Sequence, residues 1–136
     1  MELDKDLLAR QEARQLLRQA EKAQKQLAEF SQEKLDTIVK AIRDAIHGAA
    51  VELAQLAVQE TGFGNAEDKT VKNEFASRTV WEHIRDMETV GVLNEKPSEK
   101  LWQIGVPVGV IAAIVPSTNP TSTVCYKALI ALKAGN

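Results

Sequence analysis

The sequence predicts an α/β fold that is mostly helical, and three observations carry that expectation. Val108 to Val115 is an unbroken apolar run rich in β-branched residues, which reads as a strand covered on both faces of a parallel sheet. Pro116 has no N–H to give and ends that ladder, Ser117, Thr118 and Asn119 make a short polar loop, and Pro120 stands at the first turn of a following helix. Upstream of all this, apolar residues recur at helical rather than alternating spacing. The carboxyl end of a parallel strand facing a helix N-terminus is where open α/β sheets hold ligands. Residues 116–120 are therefore the candidate site.

Taken in order, residues 4–30 form one helical segment without Gly or Pro, full of Ala, Leu, Gln, Glu, Lys and Arg. Ala9, Ala13, Leu16, Ala20, Ala23, Leu27 and Phe30 are spaced alternately four and three apart, a seam of about three heptads. Because the seam is mostly alanine, close packing on a sheet or helix is expected ahead of a self-sufficient coiled coil. An amphipathic tag for another protein's groove ranks below both.

Ser31 is an N-cap for a second helix, with Glu33 in its first turn and Leu35, Ile38, Val39, Ile42 and Ile46 as the buried stripe. Gly48 breaks or weakens it, after which Val51, Leu53, Leu56, Ala57 and Val58 continue the pattern. Gly62 is the expected left-handed cap. Residues 66–86 read as another helix with Val71, Phe75, Val80, Trp81 and Ile84 in the core. Glu67, Asp68, Lys69, Lys72 and Glu74 are read as its solvated face. Thr89 to Asn94 contains a short strand, Glu95 to Lys100 a polar turn, and Leu101 to Val106 a second strand.

Composition excludes several functions. A formal net charge of −2 and 4% aromatic residues give no basis for nucleic-acid binding. The apolar run Val106 to Val115 is interrupted by Pro107 and Gly109 and is too short to cross a bilayer. The N-terminus is charged from Glu2 onward, so no secretory leader is expected, and a single cysteine, Cys125, fits a reducing compartment. A cytoplasmic protein is the expectation. A parallel strand also needs partners, and the end at Ala134-Gly135-Asn136 reads as a helix C-cap, so the chain is expected to be a fragment.

No glycine-rich nucleotide loop, zinc spacing or Ser-His-Asp order is present, so no metal site is expected. His47 and His83 lie on different helices and read as structural. Cys125 falls in a helix interior beyond the first turn, which marks a small buried hydrophobe rather than a nucleophile. The loop then offers two readings. Its backbone N–H groups and the side chains of Ser117, Thr118 and Asn119 can cradle an oxyanion or phosphate, or Asn119 or Thr118 simply caps the next helix.

The residues themselves narrow the choice. PVGVIAAIVPSTNPTSTVCYKALIALKAGN at 107–136, FSQEKLD at 30–36, ETGFGNAEDKTVKN at 60–73, FAS at 75–77 and GVLNEK at 91–96 together resemble one family. It is the acylating branch of the aldehyde dehydrogenase superfamily, comprising coenzyme-A-dependent acetaldehyde dehydrogenases and the aldehyde half of bifunctional aldehyde–alcohol dehydrogenases. The likeness runs from about residue 20 to residue 136. It implies the N-terminal part of a Rossmann-like cofactor domain over residues 31–136, with residues 1–30 as a helical extension and residues 90–106 leading into an oligomerisation arm. It also implies a reversible reaction in which an aldehyde, first of all acetaldehyde, reacts with coenzyme A and NAD to give acyl-coenzyme A and NADH. The thioester would form on a cysteine downstream of this chain, so the fragment alone is expected to be inactive. A homo-oligomer is implied for the intact enzyme, and a bacterial microcompartment shell is a weaker implication for residues 1–20.

Carried over residue by residue, Pro116 and Pro120 match the prolines of the family's Pro-Trp-Asn-Phe-Pro motif, and Asn136 matches an asparagine closing the next helix. The motif's oxyanion-stabilising asparagine falls on Thr118, while Asn119 keeps an amide donor one residue later. Both are candidates. By the same alignment Val115, Pro116, Ser117 and Thr118 take cofactor-contact positions. Two rival readings remain: a non-catalytic helical interaction module built on residues 4–86, and a non-acylating aldehyde dehydrogenase.

Overall fold

The computed structural model describes residues 4–136. It is a helical assembly with a two-stranded hairpin at one side. Helix α1 spans Lys5–Leu27, α2 Gln32–Gly48, α3 Ala50–Thr61 and α4 Ala66–Glu74. A π-helical turn, Phe75–Thr79, joins α4 to α5, Val80–Ile84. Strand β1, Gly91–Lys96, and strand β2, Leu101–Gly105, flank a 3-10 turn, and α6 closes the chain at Pro120–Lys133.

Local chemistry sets most boundaries. Ser31 Oγ accepts from the Lys34 N–H at 3.3 Å, the expected cap of α2. The Asn65 side chain does the same for α4, accepting from the Asp68 N–H at 2.8 Å. Gly62 ends α3 with φ of 69°, where a side chain would be strained. Gly48 does break the helix: Ala49 sits between α2 and α3. Gly135, at φ 73°, lets the chain turn back so that its N–H bonds Leu132 and that of Asn136 bonds Ala131. That paired pattern is a Schellman motif.

The core is formed by Val39, Ala76, Ile84, Cys125 and Leu129, with Ile42, Ile46, Val80, Trp81 and Leu132 around it. Helix α6 runs through its middle, against α2, α3, α4 and the π turn. An ion pair with a buried amine fixes its far end, where Lys133 Nζ lies 2.5 Å from the half-buried Asp36 Oδ1 on α2 and donates to the Arg85 carbonyl at 2.8 Å.

Four expectations are corrected. Val51 and Leu56 are exposed, and α3 buries Ala50 and Ala54 beside the expected Ala57. Small residues let α3 approach α4 closely, and larger ones there would hold the helices apart. Val71 and Phe75, expected in the core, are 64% and 60% exposed, while Lys69, Asn73, Ala76 and Ser77 face inward. Residue 71 lies about half a turn from residue 69, so it shares no face with that inward stripe. The polar turn expected at Glu95 to Lys100 is shorter, because β1 extends through Lys96 opposite Leu101. A bulge at Leu93 lets the register slip between Val92 and Asn94.

The fourth correction concerns Val108 to Val115. Among the described residues this segment is not a strand: it is extended but pairs with no neighbour, and Val108 and Ile114 are 93% and 85% exposed. A strand is a relation between segments, and a parallel partner is not next to it here. The segment is tied to α6 by side chains alone. Asn136 Oδ1 accepts from the Val108 and Gly109 N–H groups at 2.6 and 3.0 Å, and Lys127 Nζ donates to the Ile114 carbonyl at 2.8 Å. The alanine seam of α1 is also mostly exposed, with Leu27, Ala20 and Phe30 half-buried. Its C-terminal end meets Val110, Ile111 and Leu132, and Gln24 Nε2 donates to the Gly135 carbonyl at 3.4 Å.

Candidate functional site

The loop between the extended segment and α6 is a tight turn. The Asn119 N–H bonds the Pro116 carbonyl at 3.3 Å, and Pro120 opens α6 without a donor to waste. Pro116, Ser117 and Thr118 are exposed, Val115 is exposed on the same edge, and Asn119 is half-buried. All five candidate residues therefore lie together at the N-terminal end of α6, as the sequence predicts.

The helix-capping alternative is not what Asn119 does. It occupies the N-cap position, with φ −140° and ψ 60°, but its side chain makes no capping bond. Its Oδ1 instead accepts from Lys72 Nζ at 3.1 Å, and its Nδ2 lies 3.4 Å from Thr118 Oγ1. The carboxamide is turned away from its own helix.

The loop is held from α4. Lys69 is only 5% exposed, and its Nζ donates to the Thr118 carbonyl at 2.8 Å. Asn73, one turn further, links three helices: Nδ2 donates to the Ala50 carbonyl at 2.9 Å and Oδ1 accepts from Thr121 Oγ1 at 2.7 Å. Lys69 and Lys72 belong to the face read from sequence as solvated; buried Lys69 corrects that reading, while Lys72 stays exposed as read and its amine still reaches the loop. Their role is not legible locally, because the groups they bond lie 49 and 47 residues away.

Beside Asn119 runs an open groove of about 690 Å³. Val71, Phe75, Val80 and Tyr126 give it apolar walls, and Lys72, Asn119 and Ser122 are among its polar groups. The exposed Val71 and Phe75 thus have a place: they flank the loop. The groove has the composition of a small-ligand site, apolar with a few convergent donors.

The other reactive side chains are structural. Cys125 is fully buried, and burial pushes its thiol up from 9.0 to about 11, the opposite of what a nucleophile needs. His47 Nδ1 lies 3.2 Å from the buried Ser77 hydroxyl. Among the described residues no cluster of three metal-ligating side chains exists, and no helix is long and apolar enough to cross a membrane.

Comparison with known proteins identifies the family. The model of the aldehyde dehydrogenase family matches residues 6–136. The chain is 44% identical over 121 residues to the bifunctional aldehyde-alcohol dehydrogenase of Escherichia coli K12, covering 89% of this chain and 14% of that protein. It is 40% identical over 123 residues to the acetylating succinate-semialdehyde dehydrogenase of Clostridium kluyveri, covering 90% and 27%. Among solved structures, an acetylating aldehyde dehydrogenase from Geobacillus thermoglucosidasius superposes with a TM-score of 0.96 at 50% identity, over 98% of this chain and 29% of that one. A probable aldehyde dehydrogenase from Listeria monocytogenes gives 0.97 at 55% identity, over 98% and 30%. The chain thus spans less than a third of the length of each of these relatives.

Proposed function

Starting from the fact that this chain belongs to the aldehyde dehydrogenase family, we propose that the protein carrying it converts an aldehyde, coenzyme A and NAD to acyl-coenzyme A and NADH, reversibly. The observation behind the acylating branch is the loop itself, Pro116-Ser117-Thr118-Asn119-Pro120, together with 40–55% identity to proteins named as acetylating or aldehyde-alcohol dehydrogenases and to a probable aldehyde dehydrogenase. Acetaldehyde is the first substrate to test.

In this reading the aldehyde lies in the groove between α4 and α6, with its oxygen toward the loop. A thiolate attacks the carbonyl carbon, and the developing oxyanion is stabilised by the Asn119 amide or by Thr118. NAD, when bound, supplies the hydride acceptor. The exposed edge formed by Val115, Pro116, Ser117 and Thr118 fits it, since those residues present backbone and hydroxyl groups beside a helix N-terminus with no residue to displace. The thiolate is not Cys125, whose buried, raised thiol stays protonated, so the nucleophile belongs to sequence outside these residues. Coenzyme A then takes the acyl group, because a thioester remains reactive toward a second thiol. We further assign residues 31–136 to the cofactor domain, residues 1–30 to a helical extension, and residues 90–106 to an arm that pairs subunits. A cytoplasmic setting goes with this chemistry.

The test uses the full-length protein with acetaldehyde and NAD. NADH formation that requires coenzyme A, with acetyl-coenzyme A as product, is the expected result. NADH formed equally well without coenzyme A would assign the non-acylating reaction, and no NADH at all would leave a helical interaction module.

A further inference from the structure

Helix α4 sends two amines to the candidate loop from adjacent turns. The Lys69 amine ends on the backbone, at the Thr118 carbonyl, and the Lys72 amine ends on the side chain, at Asn119 Oδ1. We propose that Lys72 is a positioning residue for the Asn119 carboxamide, fixing its NH2 group as the face offered to the substrate oxygen. This rests on the oxyanion role proposed above for Asn119.

A carboxamide has an acceptor end and a donor end of nearly equal size, and only the donor end stabilises an oxyanion. Left alone, the group can flip and present its oxygen, which would repel a developing negative charge. An ammonium has three donors and no acceptor, so it accepts only the oxygen end as its neighbour. At 3.1 Å, Lys72 therefore decides which way Asn119 faces. The absence of a capping bond from Asn119 leaves its amide free to be decided in this way. The remaining contact, Nδ2 to Thr118 Oγ1, is 3.4 Å long. A full oxyanion is a far stronger acceptor than a hydroxyl at that distance, so the N–H is available when needed. Lys72 also places a positive charge on the oxygen side of the amide, which polarises its N–H bonds and strengthens them as donors. Lys69 and Lys72 divide the work: one sets the loop, the other sets the side chain.

The experiment is steady-state kinetics of the full-length enzyme bearing Lys72→Met, Lys72→Arg, Asn119→Ala, and Lys72→Met with Asn119→Ala. Lys72→Met is expected to lower kcat about tenfold, part of the roughly hundredfold or more that losing an oxyanion donor costs, with KM for NAD unchanged. Lys72→Arg should restore most of kcat, because a guanidinium also offers only donors. In the Asn119→Ala background Lys72→Met should have no further effect, since there is no amide left to orient. If Lys72→Met keeps the parent kcat while Asn119→Ala loses it, Lys72 has no positioning role and the oxyanion reading stands. Equal losses from Lys72→Met in both backgrounds would likewise overturn the proposal. An Asn119→Ala variant with parental kcat would overturn the oxyanion role of Asn119 and this inference together.

Discussion

The helices carry apolar residues on one face and bury them, whereas segment 106–116, apolar throughout, leaves most of its residues exposed. Leu129 on α6 is completely buried, whereas Ile114, fifteen residues earlier, is 85% exposed. A helix satisfies its backbone hydrogen bonds within itself, so α2, α3, α4 and α6 need only one another's side chains to bury a core. A strand has no such independence: its N–H and C=O groups must be matched by another strand. The hairpin makes the same point, since β1 and β2 are strands because each supplies the other. Apolar sequence records what is to be covered; topology decides what covers it.

The largest expected difference between the two regions is a pair of truncations, read by urea unfolding of the 136-residue chain. Leu129→Ala should cost about 2–5 kcal/mol, because it opens a cavity in a filled core. Ile114→Ala should stay within about 0.5 kcal/mol of the parent, since little surface is lost. Equal costs would mean that the segment is packed as tightly as the helices. In a longer protein whose sheet pairs with the segment, Ile114→Ala should instead approach the core value.

The core can also be probed through pH. The Cys125 thiol is pushed up from 9.0 to about 11 by burial. Between those values the unfolded chain has lost a proton that the folded chain keeps, so stability falls as pH rises. The contribution is fully present below pH 9.0 and lost progressively towards pH 11. The loss is on the order of 3 kcal/mol across that window, and Cys125→Ala should abolish it, so that the difference in stability between the two proteins changes by that amount over the window. A parent and variant with parallel curves would mean that the thiol titrates as it does in water.

A smaller loss than either core change is expected where the two regions are joined. Asn136→Ala removes the acceptor for two N–H groups, those of Val108 and Gly109. A cost of about 1–2 kcal/mol and faster amide exchange at both residues should follow, with exchange inside α6 unchanged. If α6 exchanges faster too, Asn136 supports the helix end rather than the segment.

These contrasts also explain what the sequence could reveal. Helix ends were legible because their causes are local: Ser31 caps three residues away, Gly62 supplies a left-handed turn in place, and Pro120 opens a helix by its own ring. The candidate loop was legible for the same reason. What α3 and α4 bury was not. Choosing Val51, Leu56, Val71 and Phe75 over Ala50, Ala54 and Asn73 assumes that size decides burial, whereas here closeness between helices decides it. The π turn after α4 has no sequence mark. Lys69 and Lys72 look like any solvated charges until the fold brings their amines to residues 118 and 119.

What remains is whether the loop holds an oxyanion. Pre-steady-state and steady-state rates of NADH formation by the full-length enzyme, parent against Asn119→Ala, measure this. The expected result is a kcat lowered by about 2.7–4 kcal/mol in barrier terms, with KM for NAD little changed. An unchanged kcat in Asn119→Ala and in Thr118→Ala alike would contradict it.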